Sequence, residues 1–363
     1  MRDKDIQVKF LWLITIVIIY YIFGKENLFL YTSTLCLYNI YLSCYSHITI
    51  KEKLKKYKSN SVKMKILKYT IINITIIWIL FILFSIFISD AINIFLNIKN
   101  TFLPYLLMSL SIISKPLINI GLEYLESYNK TKISSNLLKL YYYLESILMI
   151  IIAIISLKIF KIPLYISISL LYVSKILSFI VVSLIIYLNL KRLNIESTKK
   201  DEDININYRK EIKEILKSNS HNSAVILIKN SYYYISLIIL YAVLKTRYSY
   251  SIDIIETDLT YIYLYGICIL NLITESIETI TKNINKKEST INYMYIIFKN
   301  ILTIAIILGI TSPLISKIIF NDSSNSIYLM MIAFLSIFVV LYNITFENIK
   351  SKKIIYPSLI VGI

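Results

Sequence analysis

A chain of 363 residues with 57% hydrophobic and 17% charged residues has a mean hydropathy of +0.66, which is too apolar for a water-soluble globular protein and places it in a membrane. Five Gly and five Pro exclude collagen-like or Pro-rich sequence. The formal charge of +17 would suggest nucleic acid in a soluble chain. Abundant Ile, Lys, Asn and Tyr together are what AT-rich codons give, so the lysine excess is read as compositional and no nucleic-acid partner is expected.

In chain order, ten apolar segments approach the roughly 20 residues that a helix needs to cross a bilayer. They cover residues 10–23, 28–50, 69–89, 101–120, 133–157, 162–190, 223–244, 259–281, 293–316 and 327–346. The first is short and follows a basic flank, but no small-residue cleavage site follows it, so the first two spans read as a hairpin that stays in the membrane. The fold class expected is therefore all-α: a polytopic integral membrane protein of about ten transmembrane helices. The polar stretch 191–222 divides it into an N-terminal six-helix bundle, 1–190, a connector, and a partial second bundle, 223–363. Within the connector, Ile212, Ile215 and Leu216 fall on one face of a helical stretch from Tyr208 to Ser218, as in an interfacial or a solvated helix.

An N-terminus in the cytoplasm places most of the 39 Lys and Arg residues on the inside, as the positive-inside rule requires. The loop from Lys51 to Lys68 carries eight Lys and one Glu, whereas the outer loop from Lys245 to Asp258 holds two basic and three acidic residues. No outer loop exceeds about 14 residues, leaving no room for an external catalytic domain. The expected location is the cell membrane, multi-pass, among membrane lipids. Cys36, Cys44 and Cys268 form no CxxC and lie in apolar stretches, so neither a disulfide framework nor a zinc site is expected.

Charges at membrane depth are costly and therefore carry the functional hypotheses. Lys115, Lys229 and Lys299 lie about 7 to 10 Å from the inner ends of their spans, within reach of snorkelling, so anchoring competes with ligand binding. Glu145 lies about 18 Å from the inner end of the fifth span and Lys175 about 22 Å from that of the sixth. Similar depths on sequential antiparallel helices predict a buried ion pair, either a structural staple or part of a transport cavity. In the eighth span Asn271, Glu275, Glu278 and Lys282 recur at i, i+4, i+7 and i+11, a polar stripe that lipid would reject and a bundle or wet cavity would accept. The clusters Tyr141 to Tyr143 and Tyr232 to Tyr234 sit a third of the way into their spans; ordinary packing competes with stacking on sugar rings.

The run from Ser111 to Lys132, SIISKPLINIGLEYLESYNKTK, followed by a span containing Glu145, resembles the fourth helix, short turn and fifth helix of polysaccharide flippases. These belong to the multidrug/oligosaccharidyl-lipid/polysaccharide exporter (MOP) superfamily, and the branch it resembles is that of stage V sporulation protein B and the lipid II flippases. Gly121, Tyr124 and Glu145 occupy places comparable to a Gly-Tyr motif ending helix four and a Glu inside helix five, with two residues inserted between Gly and Tyr. A second stretch, from Glu211 through Val243 to Arg247 and on to Tyr261 to Glu278, resembles the entry to that family's second bundle. The resemblance implies two inverted bundles around a cavity that opens alternately to each side, a lipid-linked sugar held by its pyrophosphate, and cations facing that cavity. Lipid II flippases of this branch resemble one another in carrying Arg in the first two helices, and spans one and two here contain none.

Three functions follow as expectations: a transporter flipping a lipid-linked oligosaccharide or polysaccharide precursor for the envelope or spore coat, an integral membrane glycosyltransferase or polymerase, or a non-transporting remnant or scaffold for envelope-synthesis proteins. No Walker loop, HExxH or dinucleotide motif is present, and neither His47 nor His221 has a metal-ligand partner nearby in sequence, so no enzyme activity, metal or cofactor is expected. Energy would come from an ion gradient through Glu145 or Glu275. The apolar run Ile354 to Ile363 is ten residues, about 15 Å of helix, and reads as an eleventh span cut short.

Overall fold

The computed structural model describes residues 6–24, 27–45, 48–57, 59–96, 100–195, 211, 213–215, 220–247, 250–282, 290–320, 323 and 325–351. The run 354–363 and His47 lie outside them, as do Ile212, Leu216 and most of the connector. All the described elements are helical, and a helix coincides with each of the ten expected spans, in order. These are α1 (Ile6–Phe23), α2 (Phe29–Tyr45), α3 (Lys51–Lys56), α4 (Asn60–Leu96), α5 (Phe102–Ser111), α6 (Ser114–Ser127), α7 (Thr131–Ile154) and α8 (Leu164–Ile195). They are followed by α9 (Ser220–Arg247), α10 (Ile252–Thr260), α11 (Ile267–Lys282), α12 (Thr290–Phe320) and α13 (Ser326–Ser351).

Among the described residues, seven helical stretches are long and apolar enough to cross a membrane. Large apolar side chains point outward along them, among them Leu80, Phe87, Leu184 and Ile310, a surface that suits lipid and not water. The protein is thus an all-α, multi-pass membrane protein.

Three local departures from the expected elements have physical causes. The stretch Lys51 to Lys68, expected as a loop, is mostly helical: α3 and the first turns of α4 form there. Lys favours helix, and α3 receives an acceptor from elsewhere in the chain, since Glu123 Oε2 takes the backbone N–H groups of Ile50 at 2.6 Å and Lys51 at 3.2 Å. The fourth span is two helices, α5 and α6, broken at Ile112 and Ile113. Pro116 lacks the N–H that would bond to Ile112, and its ring crowds that carbonyl. The eighth span carries a π-helical segment, Tyr261–Gly266, between α10 and α11, and α7 ends in another, Ile155–Ile159.

The chain forms two compact units, residues 1–32 with 243–363 and residues 33–242. The units divide within α2 and within α9. In the unit 33–242, α8 packs against α5, α6 and α7. Its core joins Ile118, Leu122 and Leu125 of α6 to Leu137, Leu138 and Tyr141 of α7 and Val182 and Ile186 of α8. Gly121 sits at this seam: a Cβ there would lie 3.2 Å from Ile186 Cγ2, so the missing side chain lets α6 approach α8. The reversal into α7 turns on Asn129, whose φ of 62° closes α6 with a left-handed residue that Asn tolerates. In the other unit, α1 packs on α11 and α12 on α13, over a core of Ile273, Ile297, Ile301 and Val340.

Candidate functional site

The site lies in the unit 33–242, on α7 and α8. The antiparallel packing that buries the core above sets Glu145 opposite Lys175, and the Lys175 ammonium contacts Glu145 Oε1 directly. Glu145 is 4% exposed and Lys175 5%. Each charge alone would be costly among apolar side chains; together they form a neutral, hydrogen-bonded unit. The pairing expected from the depth of the two residues is therefore formed.

Aromatic and hydroxyl groups surround the pair. The Lys175 ammonium lies 4.9 Å from the centroid of the Tyr38 ring on α2, within cation–π range. Tyr38 packs at 6.3 Å against Tyr172, whose hydroxyl donates to Thr34 Oγ1 at 2.7 Å. Next to Thr34, Ser33 shares a 2.7 Å hydrogen bond with the Tyr105 hydroxyl on α5, which lies 3.3 Å from that of Tyr234 on α9. Ser85 of α4 donates to the Tyr41 hydroxyl at 3.0 Å. Tyr141, one turn before Glu145, is buried with its hydroxyl beside that carboxylate but without a well-formed hydrogen bond.

This lining was absent from the sequence reading, although its signal is present. Thr34, Tyr38, Tyr41 and Tyr45 recur at i, i+4, i+7 and i+11, a polar aromatic stripe on one face of α2. The two tyrosine triplets follow helical periodicity in the same way. Tyr141 and Tyr234 turn inward, whereas Tyr143 and Tyr232 face outward.

The remaining candidates are dispersed. Lys115, in the first turn of α6, lies 5.5 Å from the Tyr142 ring centroid and close enough to Lys175 for the two positive charges to oppose each other. Lys229 lies in α9 and its side chain is outside the described set; its neighbour Asn230 donates to Ser43 Oγ at 2.6 Å and to the Asn39 carbonyl at 3.1 Å. On α11 Asn271 is exposed, and the side chains of Glu275 and Glu278 are outside the described set. Lys299 is exposed on α12.

A charged cluster outside the membrane-spanning segments was also unforeseen. Lys53 of α3 pairs with Glu211 at 2.9 Å and with Glu214, both from the connector. Burial alone would lower the Lys53 ammonium, but its hydrogen bonds to Glu214 and Glu211 outweigh that and hold it above the ordinary lysine value. Ile215 beside them is buried. The connector's charged face thus clasps α3. Lys51 completes the cluster by pairing with Glu126 at 3.0 Å.

No protein-family profile matches this chain, and no curated protein matches it. Among solved structures, a multidrug resistance MATE family transporter of the MOP superfamily, in its inward-facing conformation, is similar to it. The match covers 92% of this chain and 77% of that one, with a TM-score of 0.59 at 14% sequence identity. At that identity the likeness is one of fold: the chain shares the helical architecture of a MOP superfamily transporter.

Proposed function

We propose that the protein is a membrane transporter that flips a lipid-linked oligosaccharide or polysaccharide precursor across the cell membrane, N-terminus in the cytoplasm. The observation that carries this reading is the buried Glu145–Lys175 pair amid tyrosine and hydroxyl groups. The fold shared with a transporter and the resemblance of residues 111–132 to polysaccharide flippases support it.

The chemistry proposed is an exchange of partners. A pyrophosphate brought to Lys175, with Lys115 as a second cation, competes with Glu145 for the ammonium. The displaced carboxylate is then unpaired in a site of low dielectric, so it takes up a proton or a small cation, which couples substrate entry to an ion gradient. When the substrate leaves, the pair re-forms and releases that ion. Lys229, Asn271, Glu275 and Glu278 are the further candidates for the substrate or ion pathway.

The test is flipping of a fluorescent lipid-linked oligosaccharide in proteoliposomes under an imposed pH gradient. The double variant Glu145→Gln/Lys175→Met should incorporate normally and flip at the protein-free rate. Wild-type flipping by that variant would overturn the proposal.

A further inference from the structure

A second unusual cation lies away from the Glu145–Lys175 pair. Lys63, in the opening turns of α4, is 6% exposed, and its ammonium sits 4.2 Å from the centroid of the Tyr128 ring. Among the described residues no carboxylate comes within ion-pair range of it. The two acids near the end of α6, from which Tyr128 extends, are engaged elsewhere: Glu126 pairs with Lys51 at 3.0 Å, and Glu123 holds the start of α3.

The surroundings converge on the start of α4. The Tyr128 hydroxyl donates to Asn60 Oδ1 at 2.6 Å, and Asn60 is the first residue of that helix. Ser59 accepts the Val62 N–H at 3.4 Å, and its hydroxyl lies 3.0 Å from that of Ser61. The positive end of a 37-residue helix therefore coincides with a covered ammonium. A cation is disfavoured near a helix N-terminus, and an ammonium withdrawn from water with only a ring face beside it is disfavoured again. One anion relieves both.

Depth says what kind of anion is present there. At 1.5 Å per residue α4 is about 55 Å long, against about 30 Å of hydrocarbon. With the apolar span beginning near residue 69, Lys63 lies about 9 Å outside the hydrocarbon, at the level of lipid headgroups. Lys55, Lys56, Lys65 and Lys68 are exposed around it and draw anionic groups to this surface.

We propose that the start of α4, with Lys63, Asn60 and Tyr128, is a binding site for a phosphate group at the membrane surface. This site is independent of the transport reading, and its ligand is either the phosphodiester of an anionic lipid or free phosphate.

The experiment compares melting midpoints of the full-length protein in nanodiscs of phosphatidylcholine alone, of phosphatidylcholine with phosphatidylglycerol, and of phosphatidylcholine with millimolar inorganic phosphate. Phosphatidylglycerol should raise the wild-type midpoint. Lys63→Gln should lose that rise and Lys63→Arg should keep it. A Lys63-dependent rise with inorganic phosphate identifies the free ion as the source and supports the site equally. Where Lys63→Gln does not fold, Lys63→Met fills the same space without charge and serves in its place. Equal responses of wild-type and uncharged variants to both probes would overturn the proposal.

Discussion

Removing one partner of the Glu145–Lys175 pair should cost far more than removing both. Both side chains are buried and in direct contact. Glu145→Gln leaves the Lys175 ammonium with the Tyr38 ring and no counter-charge, and Lys175→Met leaves a bare carboxylate. Breaking a buried pair from one side costs about 3 to 5 kcal/mol, whereas replacing both charges with groups of similar volume is often close to neutral. The double variant should therefore fall within about 1 kcal/mol of wild-type, giving a coupling of at least about 5 kcal/mol in a double-mutant cycle. The cycle is measured by reversible unfolding in mixed micelles. Lys175→Met is the harsher single change, because the buried carboxylate it leaves has the Tyr141 hydroxyl beside it without a well-formed hydrogen bond, whereas the ammonium left by Glu145→Gln keeps the Tyr38 ring face. Single-variant effects that add to within about 0.5 kcal/mol would refute the reasoning, since additivity is the mark of residues that do not interact.

Three further outcomes are expected. Glu123→Gln removes the carboxylate that holds the Ile50 and Lys51 N–H groups; hydrogen exchange should quicken at the start of α3, with a loss of about 1 kcal/mol of local stability. Because the Lys53 ammonium is held above its ordinary value, the stabilisation from its clasp on the connector is fully present below that value and is lost as pH rises through the elevated one. Exchange at Glu211 to Ile215 should therefore be flat with pH, once corrected for intrinsic rates, through the neutral range and rise on the alkaline side, and Lys53→Ala should show the raised rate already at neutral pH. A Cβ at Gly266 would lie 2.7 Å from Ile332 Cδ1, so Gly266→Ala should destabilise by about 1 kcal/mol and be rescued by Ile332→Val, whereas Gly309→Ala, which meets nothing within 4 Å, should be neutral or stabilising by up to about 1 kcal/mol in the same unfolding assay.

The helices and the Glu145–Lys175 contact were legible because both follow from one-dimensional arithmetic. Apolar runs of bilayer length must be helical, since backbone polar groups find no partner in lipid. Two charges at matched depth on consecutive antiparallel helices have little else to meet. Features that depend on distant partners were not legible. Glu123 was one of two residues inserted between Gly121 and Tyr124 until the fold brought α3 to it, and Lys53 was one lysine among eight between Lys51 and Lys68. Lys63 was counted as loop because hydropathy marks where a helix enters hydrocarbon and not where it begins. The tyrosine lining was hidden by abundance: with 32 tyrosines in the chain, the spacing on α2 was the informative signal and the number was not. The grouping of α1 with residues 243–363 is a tertiary choice that neither hydropathy nor loop charge encodes.

The central claim is that the Glu145–Lys175 pair lies on a pathway that water and substrate reach, and labelling at position 145 tests it most directly. In a background with Cys36, Cys44 and Cys268 replaced by Ser, and with Lys175→Met to avoid an unpaired ammonium, Glu145→Cys is exposed to a membrane-impermeant thiol reagent from each side of sealed vesicles. Labelling from at least one side is the expected result. No labelling from either side, while a cysteine at the exposed Lys65 position reacts fully, would make the pair a sealed structural staple and contradict the claim.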